Sequence, residues 1–283
     1  MTRFLSLVLF SIPFYFAGCI PQNAVWDFTR QSPNVLSDYS CKAVLQYDPP
    51  YAHDYFDDSI VSIKQPEGAK ISTYPGNTIK LLLPDGLSIF LNASSYVKFS
   101  PNYLQDRLLE LSGEAYFIDS ISTILLQISN SRTNFVCQAG NGEYNVSTFN
   151  DCFRTTVIKG KAKTKWLTIY VDTEEAVTGE EIIAGFSYSK RTLPANYSVE
   201  WLKGYTPTHI LLDVMEKIPR IYGINVRYYG AHPGWKFEQG LYRNTDVKAL
   251  EKMLNTTNYS CKFDRRNNRL VIRKKGGLYF SQE

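Results

Sequence analysis

Histidine side chains exchange protons near neutral pH, and the 283-residue chain contains three of them. They lie in three separate segments, at His53, His209 and His232. The first is followed by three carboxylates, Asp54, Asp57 and Asp58, which could together bind a cation. Nothing in the surrounding sequence fixes a ligand geometry, so we interpret this stretch as a solvated acidic linker. The histidines therefore predict neither a shared catalytic site nor a metal site.

Glu110 and Glu114 are the carboxylate pair whose spacing could suggest acid–base chemistry. On one face of a strand, residues four apart lie about 13 Å from each other. Paired glycosidase carboxylates are only roughly 5–9.5 Å apart. We therefore expect Glu114, next to Gly113, to be structural and to hydrogen-bond the backbone at a bend. The chain also has no G-x-S-x-G elbow and no P-loop, which predicts a protein without enzymatic activity or cofactor.

The five cysteines form neither a CxxC motif nor a Cys/His cluster of the kind that binds zinc. Four of them could form disulfides in an oxidising compartment: Cys41, Cys137, Cys152 and Cys261. Four cysteines allow three pairings, and the sequence does not select one. A hairpin turning at Gly140–Asn141 would place Cys137 opposite Tyr144, so a bond to Cys152 would need a third strand.

An apolar run, Phe4 to Gly18, follows the basic residue Arg3 and ends at Cys19. As a helix it would reach only roughly 22 Å, whereas the hydrocarbon layer is about 30 Å thick. We therefore predict that residues 1–18 are a signal peptide of the lipoprotein type, cut before a lipid-bearing Cys19. This places the protein in a bacterial cell envelope, facing the periplasm or the cell surface. A short inner-membrane anchor, giving a single-pass protein, and an ordinary secretory signal are the alternatives.

The net charge of the whole chain is +4, which is too small over this length to predict binding to nucleic acid. The densest basic cluster, at 264–275, alternates with apolar residues. We interpret it as the open face of a hairpin.

Two changes in pattern divide the mature chain into three segments. Residues 19–71 are polar and rich in turn formers, and we interpret them as a tether that leads into the first strands. Residues 72–192 show short runs of period two separated by Gly, Pro and Asn, which predict an all-β sandwich or short solenoid. One of its turns is 83–86, with Pro second and Gly fourth, as a type I turn prefers. Residues 193–283 change to helical spacing and predict a second, α+β domain.

The second domain reads as β-α-β-β-α-β-β. Thr206–Pro207 is typical of a helix start, and a stripe at helical spacing follows: Ile210, Leu211, Val214, Met215, Ile218 and Ile221. We expect this helix to stop or kink at Pro219. Thr245 is the predicted cap of a second helix, and a hairpin turning near Asn267–Asn268 closes the domain. The predicted class is thus mainly β with a second α+β domain.

Several of these stretches together resemble the FecR family of periplasmic sensors. "LPDGLSIFLNASSYVKFS" followed by "LLELSGEAYF" is similar to the family signature, and "NGEYNVSTF", "VIKGKAKT" and "TGEEI" extend the likeness. The part from "VEWLKG" to "RLVIRK" resembles the short domain shared with secretins and transporter signalling regions. Together they cover roughly residues 72–275.

The resemblance implies a regulator that couples TonB-dependent outer-membrane transporters to sigma factors. It implies that the partner is the periplasmic signalling domain of such a transporter, and strand addition at an exposed sheet edge is the natural contact. Only Met1–Arg3 precede the apolar run, so we expect the sensing half alone, without sigma factor contact unless the N-terminus is longer. The alternatives are a structural or interaction lipoprotein and a carbohydrate-binding surface protein. The latter would stack sugars on four tyrosines: Tyr74, Tyr96, Tyr103 and Tyr116.

Overall fold

A computed structural model describes the protein at residues 25–28, 43–46, 53–56, 60–120, 123–149, 152–166, 173–185, 188–194, 199–206, 211–230, 240–256 and 258–275. In chain order the strands are β1 (Val25–Phe28), β2 (Ala43–Gln46), β3 (His53–Phe56), β4 (Ile60–Ser62), β5 (Lys70–Thr73), β6 (Ile79–Leu82), β7 (Ser88–Leu91), β8 (Tyr96–Phe99), β9 (Leu108–Ser112), β10 (Glu114–Asp119), β11 (Leu126–Asn130), β12 (Phe135–Ala139), β13 (Gly142–Ser147), β14 (Phe153–Lys159), β15 (Lys161–Trp166), β16 (Glu174–Val177), β17 (Glu180–Ala184), β18 (Tyr188–Thr192), β19 (Tyr205–Thr206), β20 (Asn225–Tyr229), β21 (Leu241–Tyr242), β22 (Tyr259–Asp264) and β23 (Arg269–Lys274). The helices are α1 (Tyr103–Asp106), α2 (Leu211–Tyr222) and α3 (Val247–Leu254), and a 3₁₀ turn spans Glu200–Lys203. The predicted class, mainly β with some α+β character, is confirmed.

Two large sheets enclose one apolar core, which we call the sandwich module. One sheet has the order β18-β17-β14-β13-β10-β7-β6-β4 and the other β16-β15-β12-β11-β9-β8-β5-β2-β3. From β4 to β18 the chain changes sheet after every one or two strands. The inward side chains are mostly Leu, Ile, Val and Phe from both sheets, and each stabilises the fold by about 1.5–3 kcal/mol relative to exposure. The structure is therefore a sandwich wound as a coil, which joins the two predicted architectures.

Gly113 marks a corner at which the chain passes from one sheet to the other. Its φ is +104°, and a Cβ there would lie 2.2 Å from Ser95 Oγ, so only glycine fits. The buried positions of β9 and β10 nevertheless continue in phase, because both strands turn the same face to the shared core. Leu109, Leu111 and Phe117 are fully buried there. This explains why the predicted alternation is continuous although the strand is not.

The hairpin considered at Gly140–Asn141 does not form. β12 pairs with β11 and β15 in one sheet, whereas β13 pairs with β10 and β14 in the other. The two residues form another corner between sheets. Cys137 therefore lies opposite Ile128 and Thr164 in the ladder. Sequence periodicity does not distinguish a corner from a hairpin, since both need glycine between two apolar strands.

The turn at 83–86 is confirmed, with Gly86 N donating to Leu83 O at 3.2 Å. Asp85 extends beyond its turn, because its Oδ2 accepts from Arg107 Nε at 2.9 Å and from Tyr103 Oη at 3.0 Å. Arg107 is 1% exposed and also donates to Asp119 Oδ2 at 2.7 Å. A buried guanidinium held by two carboxylates thus ties the β6–β7 turn to β10.

The C-terminal module is a four-stranded sheet, β1-β20-β23-β22, covered by α2 and α3. Leu211, Val214, Met215, Ile218 and Ile221 are buried on α2, as the helical stripe predicts, and Ile210 lies outside the described residues. The sequence predicts that the helix stops or kinks at Pro219; it does not stop there, since α2 continues to Tyr222 with Pro219 inside it.

The second helix of the module starts one residue later than predicted. Its N-cap is Asp246, not Thr245, and Asp246 Oδ1 accepts from Ala249 N at 2.8 Å. The closing hairpin of β22 and β23 is confirmed, and Asn268 in its turn has φ +44°.

Within the described residues, the segment predicted as a tether contains four complete strands, β1 to β4. β2 pairs with β3 and β5, and β4 pairs in parallel with β6, so these three extend the sandwich sheets. β1 instead joins the C-terminal module by pairing antiparallel with β20. Short strands of this kind carry little sequence signal, because their partners are distant in the chain.

Candidate protein-interaction site

The two modules meet through a buried polar cluster, which we call the junction. It consists of Asn92, Glu114 and Asn145 from the sandwich module and Trp201, Arg220 and Arg243 from the C-terminal module. Asn92 follows β7, Glu114 begins β10 and Asn145 lies within β13; the three strands are neighbours in one sheet. Because residues from both modules contribute, the junction fixes their relative orientation.

Glu114 is at the centre of the junction, as the first residue of β10. Its Oε2 accepts from Asn92 Nδ2 at 2.7 Å and its Oε1 accepts from Asn145 Nδ2 at 3.2 Å. The prediction of a bend at Gly113 is correct, but the carboxylate is bound by side-chain amides and not by backbone. Glu110, its predicted neighbour on the strand, lies in the other sheet and accepts from Tyr96 Oη at 3.0 Å.

Arg220 brings the last turn of α2 to this carboxylate. Its Nη1 lies 3.9 Å from Glu114 Oε2, and its guanidinium carbon lies 3.9 Å from the centre of the Phe149 ring. Burial lowers the pKa of Arg220, and the nearby carboxylates of Glu114 and Glu216 partly oppose that shift. Its backbone carbonyl accepts from Gly76 N at 3.1 Å. Both ends of the residue therefore contact the sandwich module.

Arg243 makes a second set of bonds across the junction. Nη1 donates to Thr78 Oγ1 at 2.7 Å, and Nη2 donates to Asn92 Oδ1 at 3.1 Å. Its pKa is lowered first by burial and then by the charge of Arg220. Charged hydrogen bonds of this kind are worth about 1.5–3 kcal/mol each.

Trp201, in the 3₁₀ turn, adds apolar contact beside the polar cluster. Its Nε1 donates to Asn145 Oδ1 at 3.0 Å, and its ring packs with Tyr116 and Val199. A shallow pocket of about 220 Å³ lies next to it, with Ile60 and Leu202 in its lining. The junction thus combines a sealed interior with an exposed apolar margin.

One edge of the sheet in the C-terminal module is closed by side chains of the same module. Along β22, Cys261 N donates to Asn255 Oδ1 at 2.8 Å, and Asn255 Nδ2 donates to Cys261 O at 2.9 Å. Phe263 N donates to Glu251 Oε1, and Tyr259 N donates to Thr256 Oγ1 at 3.2 Å. The outward backbone groups of β22 are therefore occupied by α3 and the residues that follow it.

The opposite edge, formed by β20, is covered by β1. The register places Trp26 opposite Tyr228, Asp27 opposite Arg227 and Phe28 opposite Val226. Neither β20 nor β22 is thus an open edge of the kind expected for strand addition.

Most residues singled out from the sequence lie outside this site. Cys19, Cys41, His209 and His232 are outside the described residues, and His53 belongs to edge strand β3. Within the described ranges, Cys137, Cys152 and Cys261 are free thiols, and no three metal-binding side chains converge. Of the four tyrosines, Tyr74, Tyr103 and Tyr116 are buried. No helix in the described part of the chain is long and apolar enough to cross a membrane.

Sequence reasoning missed the cationic half of the junction. Arg220 follows Pro219 near the end of an amphipathic helix, and Arg243 follows a two-residue strand. Neither position belongs to a motif, and their hydrogen-bond and ion-pair partners in the sandwich module are more than a hundred residues away in the chain. The one signal was Gly113–Glu114 in "LSGEAYF", where a corner glycine precedes a carboxylate.

Comparison with known proteins shows which solved structures share the fold of this chain. No protein-family model matches the chain, and no curated protein does. The chain is similar to two crystal structures from Parabacteroides distasonis ATCC 8503, and both carry the provisional name anti-sigma factor. One is 19% identical with a TM-score of 0.61, and the other is 18% identical with a TM-score of 0.62. Each likeness covers 73% of this chain and 99% of the solved chain. The chain therefore shares its fold with these two proteins.

Proposed function

We propose that the protein is a non-enzymatic signalling protein of the bacterial cell envelope, of the FecR type. The observation that carries this is the likeness of 73% of the chain to structures named for anti-sigma factors, of which it covers 99%. The sequence motifs of the sandwich module support the same family. In this proposal the protein recognises the periplasmic signalling domain of a TonB-dependent transporter, as part of a pathway that ends at a sigma factor.

The C-terminal module carries the partner surface in this proposal. Tyrosine is among the side chains that carry most of the binding energy at protein interfaces, and neighbouring contacts exclude water from such anchors. Leu202 is 39% exposed and Tyr242 is 56% exposed, and both belong to this module. The sandwich module offers a matched control in Val177, an apolar side chain that is also 39% exposed.

The experiment is capture of the purified signalling domain of a transporter encoded beside this protein. The double variant Leu202→Asp/Tyr242→Asp should reduce capture at least tenfold, and Val177→Asp should leave it unchanged. Loss of capture only with Val177→Asp would move the partner surface to the sandwich module. Absence of capture by the unmodified protein would reject the signalling assignment and favour a plain interaction lipoprotein.

The location is proposed from the sequence pattern that ends at Cys19. We expect the mature protein to begin at this residue and to carry diacylglycerol on its sulfur. Intact-mass measurement on protein extracted from membranes tests this. A retained 1–18 segment would favour the single-pass inner-membrane alternative.

A further inference from the structure

The sheet of the C-terminal module has two edges that differ in how they are covered. Side chains of Glu251, Asn255 and Thr256 bind the outward backbone groups of β22 from within the module. The β20 edge is covered instead by β1, which comes from the far end of the described chain. Only the second kind of cover can leave without dismantling the module.

β1 has the properties of a peripheral strand that can leave the β20 edge, and not those of a strand in the core of the module. It is four residues long and lies at the edge of its sheet. A strand of this length contributes few ladder bonds, and short peripheral elements open at a small fraction of the global unfolding free energy. Within the described part of the chain, β20 and β23 form a parallel pair inside the module and do not depend on β1.

The register between β1 and β20 indicates which residue pattern a segment needs in order to pair with the β20 edge. Trp26 and Phe28 stand opposite Tyr228 and Val226, which face the core of the module. Between them, Asp27 stands opposite Arg227. An antiparallel segment with bulky apolar residues at alternate positions and an acidic residue between them fits this edge.

We propose that β20 is a strand-exchange site, which β1 occupies in this structure and an extended segment of a partner protein occupies in its place. The partner segment has the pattern of β1, apolar–acidic–apolar, and adds antiparallel to Asn225–Tyr229. The identity of the partner rests on the proposed function, whereas the exchange itself can be measured with a peptide. By occupying the edge, β1 lowers the affinity of the module for its partner.

The test compares the full-length protein with β1 locked and unlocked. Directly opposed residues in antiparallel strands have Cα atoms about 4.5–5.5 Å apart, which suits a disulfide. The variant Asp27→Cys/Arg227→Cys therefore locks β1 when oxidised and frees it when reduced. Lys262→Cys/Val271→Cys, an opposed pair of β22 and β23, is the control disulfide in the same sheet.

The probe is a fluorescent peptide of residues 23–31, and the same peptide with Asp at positions 26 and 28 is its control.

We expect the reduced lock to bind the peptide at least tenfold more tightly than the oxidised lock. The control disulfide should show no such difference. A third variant, Trp26→Asp/Phe28→Asp, releases β1 without a disulfide and should bind at least tenfold more tightly than the unmodified protein. Equal affinity for the oxidised and reduced lock would overturn the proposal, because the peptide would then add outside β1 or elsewhere. If Trp26→Asp/Phe28→Asp does not bind the peptide although its circular dichroism is native, the proposal is overturned as well.

The same variants separate this proposal from the proposed function. Capture of the transporter domain by the reduced lock and not by the oxidised lock supports exchange by that partner. Equal capture by both forms keeps the proposed function and rejects exchange. Peptide exchange without capture of any transporter domain keeps the exchange site and rejects the proposed partner.

Discussion

Arg220 Nη1 lies 3.9 Å from Glu114 Oε2, so the end of a helix in one module faces the first residue of a strand in the other. Glu114 also accepts from the amides of Asn92 and Asn145, and Asn92 in turn accepts from Arg243. A single carboxylate thus organises three donors from two modules. Its removal affects both the stability of the protein and the coupling of the modules.

Glu114→Gln should lower the free energy of unfolding by about 1.5–3 kcal/mol, because a charged acceptor of buried donors is replaced by a neutral amide. Urea denaturation measures the loss. Glu110→Gln is the matched control, since Glu110 binds Tyr96 and Ser131 at a partly exposed position outside the junction. We expect it to cost less than about 1 kcal/mol. Equal losses for both variants would contradict the central role of Glu114.

Gly113→Ala should destabilise by about 3 kcal/mol, because it adds backbone strain at φ +104° and a clash with Ser95. Gly179→Ala separates these two causes. Gly179 has φ +84° and no atom within 4 Å of the added Cβ, so only the strain of about 1 kcal/mol applies. The difference between their urea midpoints measures the clash at the corner, and a vanishing difference would mean that Ser95 moves aside.

The β22 edge gives a prediction about self-association. Asn255→Ala removes the side chain that binds both Cys261 N and Cys261 O, so stability should fall by about 1–2 kcal/mol. The freed edge should also pair with other molecules. Sedimentation velocity at rising concentration should show more dimer than for Lys252→Ala, a change in the last turn of the same helix. A variant that stays monomeric would show that the edge is protected in another way.

Buried thiols predict that the protein loses stability at high pH. Burial raises the pKa of Cys137 and of Cys261 from 9.0 to about 12. Above pH 9 the unfolded chain therefore releases protons that the folded chain retains, and the free energy of unfolding falls as pH rises toward 12. Each thiol contributes up to about 1.4 kcal/mol per pH unit to this slope.

Cys137→Ala should make the slope between pH 9 and pH 11 shallower by that amount, as measured by urea midpoints. Ile128→Val is the control, because Ile128 is buried opposite Cys137 and does not ionise. It lowers stability at all pH values without changing the slope. A slope unchanged by Cys137→Ala would assign the alkaline loss to the buried tyrosines, such as Tyr144, whose pKa burial raises to about 12.

The sequence predicts what depends on local periodicity. Alternation at Leu109, Leu111 and Phe117 predicts a shared core even though a corner divides the strand, because inward faces of both sheets point to the same interior. The helical stripe of α2 is likewise local, and its buried residues agree with the structure. The sequence does not fix the N-cap of α3, because Thr245 and Asp246 are both good capping residues. In the structure the N-cap is Asp246.

The rest depends on partners far apart in the chain. Arg243 binds Asn92 across 151 residues, and Trp201 binds Asn145 across 56. No spacing rule links such residues, because docking of the two modules brings them together. The same holds for β1, whose four residues have no periodicity that points to β20.

The placement of β1 also determines how the molecule carries mechanical load. Among the described strands, β1 comes first in the chain, and it pairs with the C-terminal module, whereas the next strand, β2, belongs to the sandwich. Tension that reaches Val25 from its N-terminal side therefore acts on the hydrogen bonds between β1 and β20. A protein anchored by its N-terminus would expose the β20 edge when pulled, while the sandwich remained intact.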